Sequence, residues 1–583
     1  MARTNGTICV GALDELKAKG RVVVTEGPVP IVVFHHQGEV RAVDNRCPHM
    51  GFPLHRGTVE DGILTCHWHH ARFDLASGCT FDLWADDVAT YPVEVRDGKV
   101  YLHTDRAGRD PAERYRRRLR EGMEQNLRLV IAKSVIGLLH AGVTPDEIAR
   151  IGGLYGVRHR QSGWGPGLTI LTAMANVADH LRGDERIAPF YQGLVHVADD
   201  CSGEPPKFEL RPLENRDAPM AALKRWFRQF VEVRDPDGAE RCLLTAVQRG
   251  ATDAELADMM ASAATDHFYL NGGHEVDFIN KGFELLDRIG YGHAPEVLPA
   301  LVRQLCEAQR SEEQNAWRHP VDLVEMLEGA FEEVPGLIEA GAGKTWARPE
   351  GFVETLLGDD PGAGVEALKG ALGAGARPVQ LAQAVAYAAA LRVARFHVQN
   401  EFSDWIAVLH TFTYANALHQ ILRRAESSDL LRGVFHGAVR VYLDRFLNIP
   451  PARLPSENGK GAGPGGAGPE ALLPLLNHQQ QVDEAGRLVY GYLASGGEAG
   501  RLFRVLAEAL LREDAEFHSF QMLEAAIRQH GALEDEEERR VVMVAAARYL
   551  AAHAPTQREM CQTLRIALRL HRGEPVYEAE DAG

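Results

Sequence analysis

Cysteine is scarce in this chain. Eight are spread over 583 residues, at positions 9, 47, 66, 79, 201, 242, 306 and 561. That is far too thin for the disulfide framework of a small secreted domain. Long apolar runs are missing as well: none reaches the roughly 18 residues that a membrane span needs. The opening Met-Ala-Arg-Thr-Asn-Gly lacks a charged-then-apolar leader, so the expected location is cytoplasmic, with no membrane partner. Positive charge is in deficit, with 63 Lys and Arg against 81 Asp and Glu and a net charge of −18. Phosphate backbones would be repelled, so nucleic acid is not an expected partner. Phosphate loops of the Gly-x-x-x-x-Gly-Lys type, Gly-x-Ser-x-Gly elbows and dinucleotide-type glycine runs after a strand are also absent, so neither a hydrolase triad nor a nicotinamide or flavin site is indicated.

Two of the few cysteines sit beside histidines. Residues 47–54 read Cys-Pro-His-Met-Gly-Phe-Pro-Leu and residues 66–73 read Cys-His-Trp-His-His-Ala-Arg-Phe. The pattern is C-x-H, sixteen residues, then C-x-x-H. A zinc site of the finger type pairs Cys with Cys and His with His, whereas each short pair here is mixed. The flanks read as β-structure: Val22–Thr25, Ile31–Phe34 and Val40–Val43 are β-rich runs between turn residues. Asp97-Gly98 sits between two alternating runs within 91–102, a strong hairpin signal.

The two Cys/His segments resemble the Rieske iron–sulfur family over residues 1–105. The resemblance implies a [2Fe–2S] cluster ligated by Cys47, His49, Cys66 and His69, two thiolates on one iron and two imidazoles on the other. His67 and His70 are then neighbours of the cluster, and Phe73-Asp-Leu-Ala-Ser-Gly78 matches the strand and turn that follow the second ligand loop. Rieske proteins of cytochrome bc complexes carry an extra Cys in each loop and a Ser and a Tyr that bond the cluster. Phe52, Trp68, Ala71 and Phe73 stand at those places. The resemblance is therefore to the soluble ferredoxin or oxygenase type, with a potential toward the low end of the Rieske range.

Beyond Asp105 the hydrophobic period changes from two to about 3.6, and 111–571 reads as helix. The expected fold is multidomain: an N-terminal all-β Rieske domain, then a large all-α region of pseudo-repeated helical bundles. The expected divisions are 1–105 for the Rieske domain, 106–130 for a linking helix, 131–450 for helical repeats, 451–470 for a Gly/Pro-rich flexible linker and 471–575 for a C-terminal repeat. The repeat shows in the segments that begin at Gly142, Gly250, Gly375 and Gly496, spaced by 108, 125 and 121 residues. Each glycine closes one helix before the next begins. The basic run Arg114–Arg120 reads as a solvated helix face or as a dock for an acidic surface.

Histidines recur in the helical part. Counted from the repeat glycines, His159 and His267 lie at +17, and His397 and His518 at +22, with His410 and His530 about three turns further on. Pseudo-symmetric bundles can bring such positions to one axis, which is how bundles build metal sites. The expected second site, for a non-haem iron or other first-row metal, draws on His267, His274, His397, Glu401, His410 and His518. His267 and His274 are placed two turns apart on one helical face, and His397, Glu401 and Asp404 on another. Ring-hydroxylating oxygenases carry their iron on a different, β-rich domain, so their catalytic residues do not transfer; Asn416-Ala-Leu-His419 begins their iron motif, but the next histidine is His436.

The function these features predict is an oxidoreductase that passes electrons from the cluster to a metal in the helical region, oxygenase-like in its chemistry. The external donor would be a reductase or ferredoxin and the substrate a small molecule whose identity the sequence does not carry. The alternative is an electron-transfer module whose helical part docks a separate redox partner, its histidines lining grooves or core contacts.

Overall fold

The computed structural model describes residues 6–27, 29–104, 111–214, 217–458, 468–574 and 576. Within the expected linker, 459–467 lie outside that set. The chain forms two compact units, one of residues 1–144 with 560–583 and the other of residues 145–559.

The first unit begins with ten strands in three antiparallel sheets, with a short helix α1 (Leu13–Lys19) between the first two strands. β1 (Thr7–Ala12), β10 (Lys99–His103) and β9 (Val93–Arg96) form one. β2 (Arg21–Val24), β3 (Ile31–His36), β4 (Glu39–Asp44) and β8 (Thr90–Tyr91) form the second. β5 (Thr58–Glu60), β6 (Ile63–Thr65) and β7 (Arg72–Asp74) form the third. The β9–β10 hairpin pairs Arg96 with Lys99. Asp97 and Gly98 both take positive φ, 52° and 68°, as the primed two-residue turn demands. Alternate side chains of β3 divide between two cores. Val32 and Phe34 join Leu54, Leu64, Phe73, Cys47 and Cys66, while Ile31 and Val33 join Leu16, Val100 and Leu102. The period-two rule of a strand buried on both faces produces this split.

This unit extends past residue 105. Helices α2 (Pro111–Glu124) and α3 (Arg128–His140) pack on each other and on the β-domain, and the C-terminal helix Glu559–His571 returns to them, with His140 Nδ1 2.8 Å from His571 Nε2. The basic run explains the attachment. Arg118 is buried, and its guanidinium donates to Asp86 Oδ1 at 2.9 Å and to the carbonyls of Leu83 and Ala85, both at 3.1 Å. Glu121 takes a further bond at 2.6 Å. Of the two readings of Arg114–Arg120, docking on an acidic surface is realised at this residue. Arg116 and Arg117 stay on the wetter side, pairing with Glu113 and with Asp87 and Glu121.

The second unit is helical. The repeat glycines behave as the spacing predicts: Gly250, Gly375 and Gly496 have φ of 78°, 95° and 84°, and Gly142, at the edge of the first unit, 81°. Each ends a 13-residue helix. The residue after each glycine donates back to a carbonyl five positions earlier, Ala251 to Ala246 at 3.1 Å and Ala376 to Ala371 at 2.9 Å among them. This is the Schellman closure, which needs a left-handed residue and so selects glycine. None of the described helices is long and apolar enough to cross a membrane.

Removing one partner of a buried, hydrogen-bonded ion pair leaves the other charge uncompensated, a loss of about 3–5 kcal/mol. Arg118→Ala should therefore lower the stability of the first unit by about that amount in chemical denaturation. An unchanged denaturation midpoint would show that Arg118 does not fasten α2 to the β-domain.

Candidate functional site

The two Cys/His segments form loops of one design. The first spans the tip between Arg46 and Pro53, which form an antiparallel bridge; the second is the tip of the β6–β7 hairpin, closed by Thr65 opposite Arg72. In each, the cysteine N–H donates to the carbonyl five residues on, Cys47 to Phe52 at 2.8 Å and Cys66 to Ala71 at 2.9 Å. Each turns back through a left-handed residue four positions after the cysteine, Gly51 at φ 82° and His70 at φ 60°. His70 accepts a conformation that a side chain with a Cβ adopts at a cost. Asn45 steadies the first loop, its side-chain oxygen accepting the N–H of His55 at 2.8 Å.

The loops bring the four expected ligands together. Both cysteines are buried, with their thiols close enough to hydrogen bond: that bond and burial push the Cys47 thiol up, while the same bond pulls the Cys66 thiol down to about 6. Two thiols so placed resist losing both protons unless a cation takes the second charge. The rings of His49 and His69 meet edge to face, 4.9 Å between centroids, with Trp84 4.6 Å from His49 and Trp68 4.4 Å from His69. His49 Nδ1 is buried with no hydrogen-bond partner among the described atoms. A buried imidazole nitrogen without a partner is costly in an ordinary core and is what a metal ligand would present. Two soft thiols and two imidazoles, one nitrogen of them orphaned, fit a Rieske cluster.

An ion-paired lysine lies behind the first loop. Lys133, on α3, donates to the carbonyls of Pro48 and His49 at 2.6 and 2.7 Å and reaches Asp86 Oδ2 at 3.4 Å. Burial opposes the charge on Asp86, yet Lys133 and Arg118 outweigh it and hold the carboxyl below its usual range. Burial lowers Lys133 itself despite Asp86. His49 is lowered to about 4, by burial first and then by Lys133 and His69. The two imidazoles are not equivalent: His49 is half-buried, and His69, with its neighbours His67 and His70, is exposed. Only the basic amphipathic helix before α3 hinted that something docks here.

Of the six residues expected to build a second site, the second unit brings three together. Ligand atoms of His274, His410 and His518 all lie within 4.8 Å of one another. The other three go elsewhere. The helix Asp253–Thr265 stops two residues before His267. Tyr269, Asn271, Gly272 and Gly273 then take positive φ, so the two histidines do not share a face. His267 instead bonds Glu312 at 2.9 Å and Glu232 at 3.1 Å. His397 lies in a loop, because the helix expected to hold it begins only at Phe402, with Glu401 as its N-cap. Counting from the repeat glycines fails at this point, since the segments before the third helices differ in length. His410 and His518 come from positions the count did not align, and His530 packs against Phe503. Asn416 and His419 bond Gln529 at 2.8 and 3.1 Å. Burial lowers His274 to about 4 and His410 to about 2.

A family model of the Rieske [2Fe–2S] domain matches residues 6–92. The 3-phenylpropionate/cinnamic acid dioxygenase ferredoxin subunit of Photorhabdus laumondii is 39% identical over 95 residues, which cover 16% of this chain and 90% of that protein. A human Rieske domain-containing protein is 38% identical over 80 residues, 13% of this chain and 51% of the relative, so the chain spans about half the length of that protein. Among solved structures, a Sphingomonas yanoikuyae B1 ferredoxin matches at 27% identity and a TM-score of 0.16, covering 17% of this chain and 99% of that one. Through its N-terminal domain, the chain belongs to the Rieske [2Fe–2S] family.

Proposed function

We propose that this protein is an electron-transfer oxidoreductase whose Cys47, His49, Cys66 and His69 hold a [2Fe–2S] cluster, supplied by an external reductase or ferredoxin. The cluster would serve a second metal in the helical unit, with oxygenase-like chemistry on a small molecule. The observation that carries the reading is the pair of matched loops, each closed by a cysteine N–H and each offering one thiol and one imidazole to the same space. The likeness to the P. laumondii relative, a ferredoxin subunit of a dioxygenase, supports it. Donor and acceptor on one chain meet at high effective concentration.

Bound there, such a cluster takes up and gives back one electron at a time. The residues around it divide the work. His69 is exposed and offers the side by which electrons enter and leave. Trp84 and Lys133 cover His49 and keep water from that side. The Lys133 ammonium favours the more negative reduced state, while Asp86 beside it opposes that effect. Ala71 and Phe73 supply no hydroxyl, which leaves the reduced state with less support.

Metal analysis and low-temperature EPR of the dithionite-reduced full-length protein test this reading. The expected result is a rhombic [2Fe–2S] signal that Cys66→Ser abolishes, with further metal that survives in the variant. A preparation holding only the cluster iron, no other metal and full reactivity with its electron acceptor would overturn the second-metal part; a missing signal would overturn the cluster itself. Lys133→Met should move the midpoint potential in the negative direction and Asp86→Asn in the positive direction. Potentials unmoved by both would show that the buried charges do not act on the site.

A further inference from the structure

The residues that the cluster does not use include three histidines on three helices. His274 opens the helix His274–Ile289, His518 lies in the first turn of Phe517–Ala532, and His410 lies midway along Phe402–Arg424. Ring centroids stand 4.5 Å apart for His274 and His410, 4.7 Å for His410 and His518, and 5.7 Å for His274 and His518. His410 Nε2 and His518 Nε2 share a hydrogen bond of 2.8 Å. All three side chains are partly buried and partly open to solvent.

We propose that His274, His410 and His518 bind one divalent first-row transition-metal ion, with the three imidazoles as its protein ligands and at least one coordination position open to solvent or a small molecule. This gives the acceptor of the preceding reading its ligands, and rests on that reading only for its redox role.

Four features carry the assignment. The first is donor chemistry: three imidazoles suit iron, nickel, copper or zinc, whereas magnesium and calcium prefer oxygen. A three-histidine set with an open position is the arrangement of a reactive ion and not of a closed structural one.

The second is orientation. Glu516 Oε2 accepts from His518 Nδ1 at 2.7 Å and from the His518 backbone N–H at 2.7 Å. Ser519 holds the other carboxylate oxygen of Glu516 at 2.7 Å, and Tyr549 approaches it at 3.3 Å. The proton of His518 is thereby fixed on Nδ1, which turns a bare Nε2 toward the other two rings. A carboxylate behind a ligating histidine has this effect in metal sites generally.

The third is rigidity. Downstream of the three rings, buried polar bridges tie the helices side by side. Lys281 bonds Glu284 at 2.8 Å on its own helix and Glu524 at 2.7 Å on the next. Asp277 meets Gln521, and Gln529 bonds Asn416 and His419. The three ligand-bearing segments are thus held in position before any ion arrives.

The fourth is the backbone before His274. Tyr269 and Asn271 both sit at φ 45°, a conformation unfavourable for side chains with a Cβ, and Gly272 and Gly273 continue at 68° and 96°. A Cβ on Gly272 would lie 3.4 Å from His410 Nδ1, so this strained turn passes directly over His410. Strain of this kind persists where the surroundings impose it, and it gathers at binding sites. Phe278 and Phe517 flank His274 at 5.4 and 5.7 Å and give the site an apolar wall.

Cobalt(II) is the probe. The full-length protein, freed of loosely held metal, should take up one Co(II) per chain with the visible bands of a low-coordinate ion. Absorption at the cobalt edge is blind to cluster iron and should show imidazole ligands without sulfur. His410→Ala and His518→Ala should lose the bands, and Cys66→Ser should keep them, which separates this site from the cluster. Glu516→Gln, acting through His518, should weaken binding by about 10- to 100-fold with the bands retained. A wild-type protein that binds no cobalt, a sulfur shell at the cobalt edge, or bands that persist in the His410→Ala/His518→Ala double variant would each overturn the proposal. The edge measurement needs no variant, so it decides the matter even if the alanine variants fail to fold.

Discussion

A buried carboxylate, Asp86, sets the arrangement of the first unit. It sits in the turn that follows Trp84 and is met by Arg118 from α2 and Lys133 from α3. It supplies a counter-charge to both cations, and they in turn keep it charged. Through Arg118 the β-domain acquires α2. Through Lys133 the helical layer reaches the carbonyls of the first Cys/His loop. One of the two imidazoles is half-covered as a consequence, and the other is left exposed. The unequal exposure of His49 and His69 follows from a charge balance made by three side chains.

Much of the site was legible because its chemistry is local. The C-x-H and C-x-x-H spacings, the Asp97-Gly98 turn and the capping glycines at 142, 250, 375 and 496 each encode a conformation within a few residues. The structure bears out the hairpin turn and the caps, since Asp97, Gly98 and each repeat glycine take a positive φ; it adds that both Cys/His loops close with the same hydrogen bond. The family match to residues 6–92 agrees with the motif.

What could not be read depends on tertiary placement. Arg118 looks like its neighbours in a basic run, and only packing shows that it alone of the run's arginines is buried. Lys133 lies on an apolar helix more than eighty residues from the loop it braces. Among the helical histidines, sequence distance misled because loops shift the register. His267 and His274 are close in sequence but are separated by a left-handed turn, whereas His274, His410 and His518 are far apart in sequence and meet. A signal for His518 was nonetheless present, in the Glu516-Phe-His518 pairing of a carboxylate with an imidazole two residues on. The repeat glycines set the helices, but the segments between helices decide which side chains converge.

The central claim is that two thiolates and two imidazoles, one of each from each loop, hold a cluster whose irons are chemically unequal. Mössbauer spectroscopy of the iron-57-enriched, dithionite-reduced full-length protein tests it most directly. Two distinct iron sites are expected, the added electron residing on the histidine-ligated iron, with the pair lost in His49→Ala. Two equivalent irons, or a spectrum that His49→Ala leaves unchanged, would contradict it.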